Sequence, residues 1–312
     1  MLQPTLKTNI PQPPIPPNNK KKFWGSEAFY GYLFIAPMVF GFLVVTLGPL
    51  LYSFYMSLTD WRLLGEPNFI GLQNYEKLII DPEFKVVLKN TLIFSVGLVP
   101  INIVLALILA LLLQRNLPGM GIFRTAIFIP VMTSIVVWSI IWRYMFATDE
   151  GFINQLLSVI NIQGPAWLYS PKLAMIVVIV VSAMKNVGLN MVLFLAALKQ
   201  VPTTLYEASY LDGANRNKQF WYVTLPMITP TLFLTIILTV IGSMKVFGQI
   251  YVMTGGGPGH STKVLVYYIW ETAFKLFDFG YASAVAIILF LIILAFTILQ
   301  WVLRKRWVFH EQ

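Results

Sequence analysis

The segment YEASYLDGANRNKQFWYVTLP, Tyr206–Pro226, is a polar island between two apolar runs, Leu173–Leu198 and Ile228–Met253. It reads as a helix, a glycine turn and a second helix start. Pro202-Thr203-Thr204 opens it, with Thr203 or Thr204 as the expected N-cap and Glu207 in the first turn. Gly213 permits a tight bend, and Pro226 restricts the chain just before the next apolar run. Between two membrane-length runs, such a segment predicts a short helix lying across one face of a membrane protein. On composition alone, an ordinary amphipathic connector fits it equally well.

The rest of the chain sets that context. Of 312 residues 57% are hydrophobic and 11% charged, against roughly 25% charged in a soluble domain. So little polar surface predicts an integral membrane protein. A bilayer core of about 30 Å needs roughly 20 apolar residues in helix, and six segments qualify. They lie within Phe29–Leu58, Asn90–Gln114, Arg124–Arg143, Leu173–Leu198, Ile228–Met253 and Tyr281–Leu303, with Lys185 interrupting the fourth and Lys245 the fifth. Strict apolar/polar alternation is absent, which argues against a barrel. Residues 1–28, Pro-rich and carrying Lys20-Lys21-Lys22, are expected to form a disordered tail. The apolar run that follows is too long for a signal peptide.

With the N-terminus inside, the cytoplasmic side collects Lys7, Lys20, Lys21, Lys22, Arg115, Arg124, Lys199, Arg216, Lys218, Arg304, Lys305 and Arg306 against only Glu27, Glu207, Asp212 and Glu311. The outer loops are nearly balanced. The net charge of +9 is therefore topological; it implies no nucleic acid and puts both termini and the 206–226 island in the cytoplasm. The outer loop over 59–89 carries Tyr75, Leu78, Ile79 and then Phe84, Val87, Leu88, a pattern that suits short surface-lying helices. With no cysteine and with His260 and His310 far apart, no metal site is expected. The chain has no phosphate-binding G-x-x-x-x-G-K-[ST] loop, and Gly255-Gly256-Gly257-Pro258 reads as a turn.

The island's spacing is more specific than its composition. Glu207-Ala208-Ser209, Gly213, Val223, Leu225 and Pro226 resemble the EAA loop, EAA-x3-G-x9-I-x-LP, of binding-protein-dependent ABC importer permeases, with Ser209 for Ala and Val223 for Ile. FIGLQNYEKL, FRTAIFIPVMTSIVVW, NQLL followed by PAWL, LYEASYLDGAN and YVMTGGGP, in this order, are similar to the MalF-like, carbohydrate-uptake branch. One departure is Gly248, where family members often carry an acid. The resemblance implies an ABC type-1 transmembrane domain over 86–303, with a first transmembrane helix over 29–58, a coupling loop over 203–226 and a basic tail over 304–312. It implies that Glu207, Ala208, Ser209, Asp212, Gly213, Leu225 and Pro226 couple to a separate ATPase dimer, which binds ATP-Mg. A second permease subunit and an extracytoplasmic solute-binding protein are the other implied partners.

For the substrate path, Ser182, Lys185, Asn186 and Leu189 share a helical face, with Asn190 beside them. A lysine near mid-span needs a partner or water, and with no acid in any helix core Lys185 is expected to line a hydrated path. Thr239, Gly242, Ser243 and Val246 form a second stripe, which close helix packing explains as readily as a path; Lys245 and Gln249 lie off to one side of it. Phe247 and Tyr251, one turn apart on the fifth helix, are the aromatic candidates for stacking on sugar. In the MalF-like family the helices flanking the EAA loop carry the substrate site. An ion-coupled transporter predicts paired acids in the helix cores, and a membrane enzyme predicts convergent His, Asp, Glu or Ser–Lys groups. Neither pattern is present beyond Ser182 and Lys185. Whether the cargo is a neutral sugar, an acidic sugar or a polyol phosphate such as glycerol 3-phosphate stays open on the sequence.

Overall fold

The computed structural model of the protein describes residues 27–63, 65–115, 117–305 and 308. The expected disordered tail lies outside these residues except for the helix start at 27–28, and so do Arg306 and His310 of the basic tail. The chain forms two compact units, divided between Tyr52 and Ser53. Among the described residues it is all-helical, with two isolated β-bridges and no strand.

The described residues of the first unit are helical and apolar: α1 (Glu27–Gly41) passes through a π-helical turn, Phe42–Leu47, into α2 (Gly48–Ser57), whose last five residues belong to the second unit. The wide turn precedes Pro49, which has no N–H and whose ring would otherwise meet the carbonyl four residues back. Here the N–H of Gly48 reaches Leu43 O instead.

The second unit contains α3 (Gln73–Ile80), α4 (Pro82–Leu113), α5 (Met120–Met132), α6 (Ile135–Met145), α7 (Phe152–Val159) and α8 (Pro171–Gln200). After it come α9 (Thr203–Leu211), α10 (Arg216–Gln219), a π-helical turn Phe220–Thr224, α11 (Leu225–Met244), α12 (Gly248–Met253), α13 (Leu265–Phe274) and α14 (Phe279–Arg304). Among the described residues five helical stretches are long and apolar enough to cross a membrane: 29–57, 82–113, 171–200, 216–244 and 279–304. The pair α5–α6 makes a sixth if taken as one span. Helix α8 is the best buried of them, and it packs mainly against α4 and α5. Lipid supplies no hydrophobic drive between helices, so close approach at small residues does the work. Ala106 and Ala110 of α4 and Ala174 and Ala183 of α8 are buried. At Gly188 any Cβ would stand 2.4 Å from Ile127 O, so α8 meets the α5 backbone directly.

Three sequence expectations change. The third span, expected as one helix over 124–143, is two helices bent by 102°. Pro130 and the extended Thr133-Ser134 pair break it. The fifth span ends at Met244; Lys245–Phe247 leave the helix and α12 starts anew at Gly248. In the 59–89 loop only α3 is a separate short helix. Phe84, Val87 and Leu88 belong to the first turns of α4, where Asp81 caps the helix by accepting from the Glu83 N–H at 2.8 Å. Phe84 and Val87 pack there with Leu78, Met244, Leu265 and Tyr281.

A polar cap ties this end of α4 to α13 and α14. Asp81 accepts from the hydroxyls of Tyr268 (2.7 Å) and Tyr281 (2.6 Å). Burial raises its carboxyl, but the two tyrosines and the Glu83 and Phe84 N–H groups outweigh this and hold it below the usual carboxylate range. Lys263 bonds Glu83 at 2.6 Å and also Glu271. Burial pushes its ammonium down, and the two carboxylates more than reverse that. Glu271 is likewise raised by burial and brought below its ordinary value by Lys263 and Lys275. Lowered carboxylates contribute stability above their unfolded value of about 4, lost as pH falls through the folded value. The raised lysine contributes below about 10.4, lost as pH rises through its folded value. We expect proteolytic protection of the α13 segment to stay flat from about pH 5 to 10 and to fall below about pH 4. Constant protection down to pH 2 would contradict this role for the cap.

Candidate functional site

Two features stand out: the loop joining α8 to α11, and a cavity among α4, α6, α8, α11 and the start of α12.

In the loop, α9 begins at Thr203 with Pro202 at the N-cap and no side-chain cap, so neither threonine acts as expected and Glu207 stands beyond the first turn. Gly213, at φ +76°, ends the helix: its N–H bonds Tyr210 O at 3.0 Å, and the Ala214 N–H bonds Ser209 O at 2.9 Å. Asn215 caps α10 by accepting from the Lys218 N–H. Three bonds clamp α9 to the following helix. Tyr206 and Thr224 share a hydroxyl contact at 2.9 Å, and the Gln219 amide donates to Tyr206 O and to Ser209 Oγ. Pro226 does not interrupt the chain. The π turn before it lets α10, the turn and α11 run as one stretch over 216–244, the Leu225 N–H reaching Phe220 O. No residue of α9 is buried. Leu211 is 85% exposed and Tyr222 80%, with Tyr210 and Trp221 exposed beside them and Glu207, Ala208 and Asp212 on the same open surface.

The cavity holds about 370 Å³. The two predicted stripes meet in it: Ser182, Asn186, Leu189 and Asn190 from α8 face Thr239, Gly242, Ser243, Val246 and Phe247. Nothing lies within 4 Å of a Cβ built on Gly242, so this glycine opens space and does not serve close packing. Lys245 and Gln249, expected off to one side, are also in the wall, because the break after Met244 re-aims them. Part of the wall is fixed by its own bonds. Asn190 donates to Asn102 Oδ1 (2.6 Å) and Thr239 Oγ1 (2.9 Å), Asn102 donates to Ala183 O, and Ser243 donates to Ser95 Oγ. The Ser182 hydroxyl is buried in the wall with no partner among the described residues. Asn102 and Ser95 escaped the sequence reading; single polar residues in the apolar run of α4 were the available signal.

Lys185 has a different place from the one expected. It is absent from the cavity wall, and its ammonium donates to Pro130 O (2.8 Å) and Thr133 O (2.6 Å). Both carbonyls lie where α5 ends; Pro130 O also accepts the Thr133 N–H at 3.2 Å, and the lysine adds a charged donor to each, capping the broken span. The Trp138 indole, donating to Val181 O at 3.1 Å, ties the other half of the break to α8. Tyr251 is also outside the wall. It stacks on Phe247 (5.4 Å between centroids), which does line the cavity, and meets Trp270 edge-on at 4.9 Å.

Residues 102–308 match the family described as the binding-protein-dependent transport system inner membrane component. The chain belongs to this family. It is 35% identical to the arabinooligosaccharides transport system permease protein AraP of Halalkalibacterium halodurans, over 89% of this chain and 88% of that one. It is 34% identical to the trehalose/maltose transport system permease protein MalF of Thermococcus litoralis, over 87% and 92%. Among solved structures, a chain of the bacterial ABC transporter that imports the acidic polysaccharide alginate superposes with a TM-score of 0.79 at 22% identity, covering 89% of this chain and 96% of that one. That likeness establishes the importer-permease fold.

Proposed function

We propose that this chain is the permease subunit of an ATP-driven importer that forms half of the path for a carbohydrate across the cytoplasmic membrane of a bacterium or archaeon, with both termini inside. One observation carries the reading: the continuous helix over 216–244 has the exposed α9 loop bonded to one end and the cavity wall at the other. At 1.5 Å per residue its 29 residues reach about 43 Å, so a displacement of α9 is delivered across the membrane. The chain performs no bond chemistry. ATP and Mg²⁺ belong to a separate ATPase dimer that receives α9 through Tyr210, Leu211 and the Glu207 face. A second permease completes the path, and a solute-binding protein delivers cargo outside. Alternating access follows when the ATPases close and tilt the helices around the cavity. The carbohydrate assignment is supported by the relatives named for arabinooligosaccharides and for trehalose and maltose.

The test is assembly. The isolated chain should bind no nucleotide and hydrolyse none; copurified with its ATPase and second permease, it should support ATP turnover that the cognate binding protein stimulates. Nucleotide binding by the pure chain, or failure to copurify any ATPase, would overturn the reading.

A further inference from the structure

Lys185 and Lys245 interrupt the apolar runs read from the sequence as the fourth and fifth spans, and the structure treats them in opposite ways. An ammonium at that depth costs a few kcal/mol or more unless it is paired or wet. Lys185 is paired, with two carbonyls. Lys245 lies in the cavity wall, side chain exposed, with no hydrogen-bond or ion-pair partner among the described residues. No Asp or Glu lines the cavity, so Lys245 is the one full charge in its wall. The neutral groups around it are open. The buried Ser182 hydroxyl is unpartnered, and the Gln249 amide, 7% exposed, likewise has no partner among the described residues. Asn186 spends one amide hydrogen on Ser182 O. At about 370 Å³ the space falls in the range of small-molecule sites, roughly 300–1,000 Å³.

A wall with one cation, no anion and several free hydroxyl and amide groups suits a ligand that brings hydroxyls and one negative charge. We infer that the cavity takes an anionic carbohydrate, its carboxylate or phosphate paired with Lys245 and its hydroxyls bonded by Ser182, Asn186 and Gln249. This rests on the importer reading and narrows its substrate class. Charge pairing in a low-dielectric site is stronger than in water; the partial negative charge of the α11 C-terminus, where Lys245 is the C-cap, offsets part of that gain.

The experiment uses the assembled complex in nanodiscs without the binding protein, so that only the membrane site is read. Saturation-transfer NMR titrations at matched ionic strength compare methyl galacturonoside with methyl galactoside and glycerol 3-phosphate with glycerol. We expect the acidic member of at least one pair to bind tenfold or more tighter than its neutral partner; the pair with the larger ratio tells carboxylate from phosphate. Lys245→Gln should bring that ratio toward one and Lys245→Arg should keep it, the neutral member serving as the internal control for folding. Equal binding within both pairs, no binding of any probe, or a ratio unchanged in Lys245→Gln would overturn the inference, an acid on the second permease neutralising Lys245 being one route to the first. A complex that assembles with binding-protein-stimulated ATP turnover but lacks the charge preference leaves the importer reading standing. A complex that never assembles with an ATPase fails that reading first.

Discussion

Lys185→Met should lower the thermal stability of the assembled complex before it affects substrate affinity. Methionine matches the aliphatic stem and removes a charge that is costly in the membrane, which by itself favours the variant. Against this, Pro130 O and Thr133 O lose a charged donor at 2.8 and 2.6 Å, and hydrogen bonds to charged groups contribute about 1.5–3 kcal/mol each. The second effect wins, for a net loss of about 2–4 kcal/mol. On the slope of about 2–4 °C per kcal/mol that holds for roughly 150–250 residues, the melting midpoint should drop by up to roughly 16 °C. Lys185→Arg, which keeps donors and charge, should recover part of it. An unshifted midpoint in Lys185→Met, with substrate binding weakened instead, would return this lysine to the transport path.

Gly213→Leu should release the ATPase while leaving the chain inserted and folded. Gly213 sits at φ +76°, and a Cβ placed there meets nothing within 4 Å. The penalty is therefore purely conformational, about 1–2 kcal/mol for a side chain in the left-handed region. That is small for the fold and large for the short turn that sets the angle of α9. Relaxing the turn breaks the bonds from Gly213 and Ala214 back to α9 and swings the exposed Tyr210–Leu211 face. ATPase copurification and uptake should fall tenfold or more, whereas Gly213→Asn should retain most of both, because Asn enters this region at low cost. Equal loss in the Asn and Leu variants would point to a steric contact with the partner and not to the turn.

Much of this was legible in the sequence because it depends on local pattern. Six apolar runs, the EAA spacing from Glu207 to Pro226 and the two polar stripes on α8 and α11 follow from composition and helical periodicity. Both stripes, Lys185 apart, do line one cavity. The errors cluster at breaks. Reading 124–143 as one helix hid the carbonyls of Pro130 and Thr133 at its break, and so left Lys185 without a visible partner, expected in a cavity wall from which the structure leaves it out. Reading 228–253 as one helix put Lys245 and Gln249 on the wrong face.

By itself the sequence determined that the chain is helical, lives in lipid and carries a polar segment between two spans, since each of these is a property of contiguous residues. Only the tertiary structure decided which of the two membrane lysines is satisfied and which is open. Lys185 finds its acceptors 52 and 55 residues away along the chain, and Lys245 reaches the cavity only because α11 ends one residue before it. A backbone carbonyl has no letter in a sequence, and it becomes a partner only when a helix stops within reach of the ammonium.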